Sequence, residues 1–391
     1  MTRPNIGEQI NGLCDLLAEQ GDLLDPAWRA ALNAVPRHLF APIRAWAMPD
    51  SDEPDHLIDR AVSPAAWWDA VYSDTAIITQ IDDGRSDPTH AGTYTSSCSA
   101  PGTVMNFLHA LALRDDDRVL EIGTGTGWTA ALLSHRVGAD QVTSIEIDAQ
   151  VSEQAAANLA ATGYAPHLIV GNGAAGWPEA GPYDRVHAAC GVTSVPYAWV
   201  EQTRPGGVIV CPWTPAYGNG QLARLTVTGD GRAIGTFPHF ANYMMLRSQR
   251  VSHDPIRAFV GGTEEQAVRT ETSLDPRTVA WDSYAADLVI GALVPGVSKR
   301  MCAAEDGSGE WTFWLLEAIT DRDRSWASVD YEPGVPRYLV EQYGPRRLWD
   351  EVENAYLRWV SWGRPARDRF GLTVAPDGER LWLDDPTRVI G

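Results

Sequence analysis

Hydrophobic and polar positions over residues 118–134 predict a strand, a tight turn and a helix in direct succession. The apolar run Val119–Ile122 is typical of a buried strand in a parallel sheet. Glycine then occupies every second position, at Gly123, Gly125 and Gly127, which favours a sharp turn whose backbone can approach a ligand closely. A dinucleotide-binding turn has its third glycine one residue later, so a nicotinamide cofactor is the weaker alternative here.

Two acidic residues flank this turn. Glu121 directly precedes the first glycine, where its charge would repel a pyrophosphate but suits a cationic ligand, a ribose or an amino group. Residues 142–148 predict the next strand, with Glu146 and Ile147 at its carboxyl end, where a carboxylate accepts hydrogen bonds from ribose hydroxyls. Glycines and acids that only shape turns are the competing interpretation. The ordered succession of strand, turn, helix, strand and acid favours an α/β doubly wound sheet that binds S-adenosylmethionine.

Hydroxyl groups cluster ahead of a helix that the sequence predicts to begin at Pro101. Ser96, Ser97 and Ser99 lie within five residues of that proline. One interpretation is that a single serine caps the helix. The other is that several hydroxyls and free backbone N–H groups hold a carboxylate beside the cofactor.

A third strand is predicted before the turn at residues 171–173, and a fourth over residues 182–191. In a doubly wound sheet this turn lies at the carboxyl edge, where Asn172 can meet the amino group of an adenine. A plain turn explains the same residues equally well. Residues 244–249 add a further strand-like segment, whereas residues 42–64, rich in proline and aspartate, predict a surface loop.

The chain length of 391 residues predicts two domains. The pattern loosens over residues 252–275, so we place the boundary at 250/251, between a cofactor-binding domain (1–250) and a C-terminal accessory α+β domain (251–391). The second part contains eight of the 16 tryptophans. Such residues are more often buried in a core than exposed, but exposed aromatics could also select a peptide substrate.

Composition narrows the possible partners. A net charge of −20 argues against an electrostatic grip on nucleic acid or an anionic membrane, whereas a basic peptide is compatible with it. The five cysteines are scattered and have no metal-ligand spacing, so we expect no metal and a reducing compartment. The first residues lack a signal pattern and no apolar run reaches membrane-spanning length, which favours a cytoplasmic protein.

Many short blocks in one order resemble the protein-L-isoaspartate O-methyltransferase family over about the first 240 residues. These blocks are VPRHLF (35–40), SAP (99–101), LEIGTGTGWTAALLS (120–134), SIEID (144–148), GNG (171–173), PYDRVHAACG (182–191), VPYAWVEQ (195–202) and RPGG (204–207). The resemblance implies a Rossmann-like class I methyltransferase fold, S-adenosylmethionine as methyl donor and Ser99 as the active-site residue. The cofactor-binding residues expected from the patterns and the resemblance together are Ser97, Cys98, Glu121, Gly123, Gly125, Gly127, Glu146, Ile147, Asn172 and Gly173.

The chain also departs from common family members. Asn172 replaces a usual aspartate, Cys98 and Gly102 differ, and the tryptophan-rich segment is absent from the small repair enzymes. As a whole the chain resembles larger actinobacterial relatives associated with ribosomally made lanthipeptides, lasso peptides and graspetides. Those relatives methylate an aspartate of a modified precursor peptide, and the ester closes to an aspartimide that can open to isoaspartate. This resemblance implies a peptide or protein substrate carrying Asp or isoAsp, and repair of isoaspartyl residues in damaged proteins is the alternative function.

Overall fold

A computed structural model describes residues 5–51, 53–250, 255–281, 283–317 and 324–390. The helices are α1 (Ile6–Gln20), α2 (Pro26–Ala34), α3 (Pro64–Val71), α4 (Pro101–Leu111), α5 (Trp128–Val137), α6 (Ala149–Thr162), α7 (Tyr197–Glu201), α8 (Ile256–Val260), α9 (Pro276–Trp281), α10 (Tyr284–Leu293) and α11 (Leu348–Ser361). The strands are β1 (Arg44–Pro49), β2 (His56–Asp59), β3 (Thr75–Ile81), β4 (Tyr94–Cys98), β5 (Val119–Ile122), β6 (Val142–Glu146), β7 (His167–Val170), β8 (Tyr183–Ala188), β9 (Thr203–Trp213), β10 (Gln221–Val227), β11 (Ala233–Phe240), β12 (Val268–Thr272), β13 (Val297–Ala303), β14 (Trp311–Glu317), β15 (Trp326–Tyr331), β16 (Tyr338–Tyr343), β17 (Phe370–Ala375) and β18 (Gly378–Leu383).

The largest sheet has nine strands in the order β18-β17-β11-β10-β9-β8-β5-β6-β7. Strands β5 to β9 pair in parallel, and β5 lies between β6 and β8. The chain therefore reverses its winding direction at β5, and such a switch point opens a crevice at the carboxyl ends of the strands. The predicted doubly wound α/β sheet is confirmed.

The C-terminal segment is joined to the large sheet. The hairpin β17–β18 extends that sheet, because Ala233 to Thr236 of β11 pair with Gly371 to Val374 of β17. One buried cluster also combines Leu120 and Ile209 of the parallel strands with Phe313 and Trp349 of the C-terminal segment. Residues 251–391 thus form an added β-rich region that shares both a sheet and a core with residues 1–250.

The described residues also form two smaller antiparallel sheets. One has the order β12-β16-β15-β14-β13 and packs against α11. The other has the order β2-β1-β3-β4. Its strands β1 and β2 lie within residues 42–64, so the predicted surface loop is wrong for much of that stretch. Ala45 and Ala47 turn buried side chains into the core, and pairing with β3 supplies long-range hydrogen bonds.

In the parts of the chain that the structure describes, none of the helices combines the length and the apolar character needed to cross a bilayer.

Candidate active site

A cavity opens at the carboxyl ends of β5 and β6, opposite β4. Its empty space amounts to about 970 Å³, a figure that includes the open solvent at its mouth. Nine of the eleven residues expected at the site line it. These are Ser97, Cys98, Ser99, Gly123, Gly125, Glu146, Ile147, Asn172 and Gly173.

The glycine-rich turn forms one wall of this cavity. Gly123 has a φ of 91° and Gly125 a φ of 54°, which glycine adopts without strain. The amide of Gly123 donates to the carbonyl of Ile145 over 2.8 Å, so the turn is fixed to the end of β6. A side chain at Gly125 would reach within 3.3 Å of the Ser97 carbonyl. The turn and the serine segment therefore approach each other closely.

Glu146 lies at the base of the same wall and is 8% exposed. Its Oε2 atom accepts the Gly125 amide over 3.0 Å, and its Oε1 atom accepts the Asp148 amide over 3.1 Å. Each carboxylate oxygen has two acceptor positions, so the group keeps capacity for two further donors. Two fixed backbone donors hold it in an orientation that suits a pair of ribose hydroxyls.

Ser99 stands on the opposite wall, and a buried arginine anchors its backbone. The guanidinium of Arg37 is 1% exposed and donates to the carbonyls of Cys98 and Ser99 over 3.1 and 2.9 Å. It also donates to the carbonyls of Val71 and Thr75. Arg37 belongs to the VPRHLF block, so that block holds the serine segment at a fixed position.

Helix α4 begins immediately after this segment, at Pro101 as predicted. Its N-cap residue Ala100 makes no side-chain cap. The carboxylate of Asp74 instead accepts the Gly102 amide over 2.8 Å, and burial raises the pKa of Asp74. Neither sequence interpretation of the serines foresaw this contact, because Asp74 lies far from α4 in the chain. The Gly102 amide is therefore already used and is not a free anion-binding donor.

The turn at residues 171–173 supplies a third part of the lining. The Oδ1 atom of Asn172 accepts the Ala174 amide over 3.1 Å, as in a plain capped turn, while Asn172 also faces the cavity. A side chain at Gly173 would lie 2.4 Å from the Cγ2 atom of Ile122. Only glycine fits this position without displacing the β5 strand end.

The structure does not bring Glu121 and Gly127 to the cavity. Gly127 is the N-cap residue of α5 and packs against α6, where an added side chain would approach Leu159 within 3.2 Å. Glu121 is fully buried in β5, and Ser144 donates a 2.5 Å hydrogen bond to its Oε2 atom. Burial raises the pKa of Glu121 to about 8. It is therefore a neutral core acid at pH 7, not the cavity residue expected from its place before the turn.

A buried histidine accompanies this acid. The Nδ1 atom of His187 lies 4.0 Å from the Oε1 atom of Glu121, and burial lowers the pKa of His187 to about 4. Within the described residues, neither ring nitrogen of His187 has a hydrogen-bond partner. Both groups are neutral near pH 7, so they form no ion pair beneath the cavity.

Sequence reasoning did not assign residues 243–250, here called the covering segment, to the site. Tyr243, Met245, Arg247 and Arg250 of this segment line the cavity. Residues 244–249 were predicted as a strand, but the segment forms only a parallel bridge between Met245 and Gly191, followed by a 3-10 turn. The long-range partner at Gly191 fixes this path, and no local pattern reveals it.

Tyr243 belongs to this segment and lies beside the wall of the cavity that contains Ser99, here called the serine wall. Its ring packs 5.0 Å from that of Phe107. Burial raises the pKa of its phenol, and a hydrogen bond with Ser99 acts in the opposite direction. The phenol therefore interacts with the predicted active-site hydroxyl.

A second cavity, here called the groove, continues from the first. Its walls come from the loop after β3, from the loops after β8 and β9, and from the segment that covers the first cavity. Ser298 of β13 also lines it, so the C-terminal segment contributes to the wall. Thr95, Tyr243 and Arg247 line both cavities, which makes the two continuous.

Ion pairs tie the covering segment to both sides of this junction. The Nη1 atom of Arg250 lies 2.8 and 3.0 Å from the two oxygens of Asp83. The Nη2 atom of Arg247 lies 3.2 Å from Asp83 and 3.4 Å from Asp148. Asp148 caps α6 just beyond Glu146, so these contacts link the groove to the glutamate wall.

In the described part of the chain, no three His, Cys, Asp or Glu side chains are grouped so that they could hold a metal ion.

A doubly wound sheet, a glycine turn at its switch point and a carboxylate at the end of the next strand define a class I S-adenosylmethionine-dependent methyltransferase. Comparison with known proteins identifies the family. The family described as "Protein-L-isoaspartate(D-aspartate) O-methyltransferase (PCMT)" matches residues 56–250. A protein-L-isoaspartate O-methyltransferase of Opitutus terrae is 34% identical over 229 residues, which cover 58% of this chain and 79% of that protein. The chain belongs to this family of carboxyl methyltransferases.

Other relatives support the same family assignment. A protein-L-isoaspartate O-methyltransferase of Ignicoccus hospitalis is 32% identical over 206 residues, covering 52% of this chain and 81% of that protein. A solved structure named protein-L-isoaspartate O-methyltransferase has a TM-score of 0.54 and 19% identity, and the match covers 96% of this chain and all of that one. That likeness concerns the fold, and it extends through the C-terminal segment.

Proposed function

We propose that this protein transfers a methyl group to the free carboxylate of isoaspartyl residues in peptides or proteins. The relationship to the Opitutus terrae enzyme, which is named for that activity, carries this proposal. The geometry is compatible with it, because the first cavity suits a nucleoside and the groove suits an extended peptide. Isoaspartate repair is thus favoured over the precursor-peptide function that the sequence first suggested.

The cavity residues fit S-adenosylmethionine, which supplies an activated methyl group when bound. Glu146 would accept hydrogen bonds from the ribose through its unused acceptor positions. Asn172 and the narrow backbone at Gly173 would bound the adenine, and Ile147 would pack beside it. Gly123 and Gly125 would let the backbone of the turn lie against the methionine part, with Ser97 and Cys98 opposite.

Ser99 would orient the substrate carboxylate for attack. A carboxylate is ionised at neutral pH, so the reaction needs no general base, and alignment of oxygen, methyl carbon and sulfur supplies most of the rate. The hydroxyl of Ser99 can donate one hydrogen bond to a carboxylate oxygen and leave the other oxygen free to react. Arg37 holds the Ser99 backbone in place during this step.

The decisive experiment measures methyl transfer to a short isoaspartyl peptide and to the same peptide with normal aspartate. We expect turnover of the isoaspartyl peptide alone. Ser99→Ala should bind S-adenosylhomocysteine as the native protein does, yet lose about a hundredfold or more in kcat, since only alignment is lost. Ser361→Ala, whose hydroxyl bonds the carbonyl of Arg358 on an exposed helix end, is the matched control. Native turnover in Ser99→Ala would place the reacting carboxylate elsewhere.

A second candidate function is methylation of an ordinary aspartate in a modified precursor peptide. The contribution of Ser298 to the groove favours it, because a wall from the C-terminal segment could select a large, constrained substrate. The backbone nitrogen after the esterified aspartate would attack the ester carbonyl, methanol would leave, and an aspartimide would form. Water could then open that ring to isoaspartate.

Mass spectrometry separates the two candidates. A precursor peptide that gains one methylene, or loses one water through aspartimide formation, would support the second. Turnover restricted to isoaspartyl peptides would exclude it. In either case we propose that residues 1–250 bind the cofactor and that residues 251–391 shape the substrate groove.

A further inference from the structure

We propose that Glu379, in the C-terminal hairpin, is a positioning residue that fixes two walls of the substrate groove. This inference rests on the proposed function for the identity of the substrate. Glu379 is the second residue of β18 and turns its carboxylate inward, towards the loop after β8 and the end of β9. The hairpin thus contributes a buried acceptor to a wall that residues 1–250 form.

The carboxylate of Glu379 accepts two hydrogen bonds from groove-forming segments. The amide of Val195 donates to its Oε1 atom. The indole Nε1 of Trp213 donates to its Oε2 atom over 3.1 Å. Each oxygen thus holds a different chain segment, and hydrogen bonds to a charged acceptor are stronger than neutral ones.

Both segments continue directly into the groove. Thr193, two residues before Val195, and Thr214, directly after Trp213, line it. The two segments also bond each other, because the amide of Thr214 donates to the carbonyl of Val192 over 2.7 Å. A shift at Glu379 would therefore move both walls together.

The covering segment depends on the same loop. The carbonyl of Gly191 accepts the Leu246 amide over 2.7 Å, and the Gly191 amide donates to Met244 over 2.9 Å. On the groove side, Gln249 accepts hydrogen bonds from the amides of Thr193 and Ser194. The loop is consequently held from the groove side by Gln249 and from the core side by Glu379.

Burial explains why the two bonds matter. Burial raises the pKa of Glu379 to about 7, against the lowering effects of the Val195 and Trp213 donors. The thiol of Cys211 also faces this carboxylate, and its pKa is raised mainly by burial. Burying an acid costs free energy unless hydrogen-bond donors are well placed around it. The position of the loop after β8 and the position of the hairpin therefore constrain each other.

The test compares Glu379→Gln and Glu379→Ala with Asp377→Asn in the full chain. Asp377 lies in the same hairpin and pairs with Arg380 at the surface, so it controls for disturbance of the turn. We expect Glu379→Ala to raise KM for the isoaspartyl peptide about tenfold, with kcat and the affinity for S-adenosylhomocysteine within twofold of native. Glu379→Gln keeps one acceptor oxygen and should show a smaller rise, and Asp377→Asn none.

Amide hydrogen exchange provides a readout that needs no substrate. Faster exchange of residues 191–196 in Glu379→Ala, with unchanged exchange in Asp377→Asn, is expected. A native KM in both Glu379 variants, or unchanged exchange in them, would overturn the proposal. If the native protein fails to methylate the isoaspartyl peptide, the proposed function is wrong, and the exchange data alone then decide the role of Glu379.

Discussion

Arg37 links the N-terminal segment to the serine wall through its buried guanidinium group. It satisfies four backbone carbonyls and lies 5.2 Å from the ring centre of Trp128, which begins helix α5. The glycine turn and the serine segment are therefore braced by one buried side chain. The planar fork of arginine suits several acceptors at once, whereas a lysine offers a single ammonium group.

Arg37→Lys should destabilise the protein on the order of 3 kcal/mol, because buried carbonyls lose their donors. Chemical denaturation of the full chain measures this loss. Arg232→Lys is the matched control, since Arg232 lies at the surface near Asp230. A midpoint for Arg37→Lys equal to that of the control would show that the carbonyls find other partners.

Glu121 gives a pH dependence whose sign follows from burial. Its pKa in the folded protein is raised to about 8 from an ordinary 4.5. The folded form therefore keeps a proton that the unfolded chain releases, so this contribution to stability is complete below about pH 4.5 and is lost as pH rises through about 8. The loss therefore accumulates between about pH 4.5 and pH 8, and it levels off above that range.

We expect Glu121→Gln to fold and to lose less stability than native between about pH 5 and pH 8, because the amide mimics the neutral acid and does not titrate. Thermal unfolding at several pH values provides the measurement. Glu121→Ala should be less stable than both at pH 7, since it leaves a cavity and removes the acceptor of Ser144. Parallel pH curves for native and Glu121→Gln would mean that Glu121 is ionised in the core.

At the scale of elements, local sequence patterns predicted the strands, turn and helix on the Glu146 side of the cavity. They did not predict the covering segment. The strand β5, the glycine turn, helix α5 and strand β6 follow from apolar runs and glycine spacing within about 30 residues. Strands β1 and β2 did not, since their pairing with β3 joins distant residues. The covering segment likewise depends on Gly191, which lies far from it in the chain.

The same limit explains which site residues were found. Glu146 and Gly125 follow a local pattern, and the structure brings them together through a direct hydrogen bond. Glu121 belongs to the same pattern but points into the core, because a fully buried strand gives no alternation from which its direction can be read. Arg247 and Tyr243 carry no local signal, so only the folded structure brings them to the cavity.

At the scale of the whole molecule, the tryptophan-rich segment is largely a structural partner. Trp326, Trp349, Trp359 and Trp382 are buried, whereas Trp281 is 54% exposed. Four of the eight tryptophans in this segment are thus buried, and Trp311, Trp314 and Trp362 pack against core clusters, in agreement with the interpretation that favours burial. The remaining part of the segment acts on the groove through Ser298 and Glu379.

A chain limited to residues 1–250 should aggregate or lose cofactor binding, because β11 loses its partner β17 and the shared core is opened. Solubility and titration with S-adenosylhomocysteine measure this. Residues 1–369, which lack the hairpin and the eight residues after β18, form the comparison and should fail in the same way. Native cofactor affinity in either shortened protein would mean that the large sheet is complete without its C-terminal strands.

The pairing of β11 with β17 also has a consequence for biosynthesis. Residues 241–369 are translated between these two strands, so the edge of β11 emerges from the ribosome long before its neighbour exists. Unpaired edges are the places where nascent chains join one another. Full docking of the sheet therefore has to wait for late synthesis, and a helper that shields β11 in the interval, such as a ribosome-associated chaperone, would raise the yield of native protein.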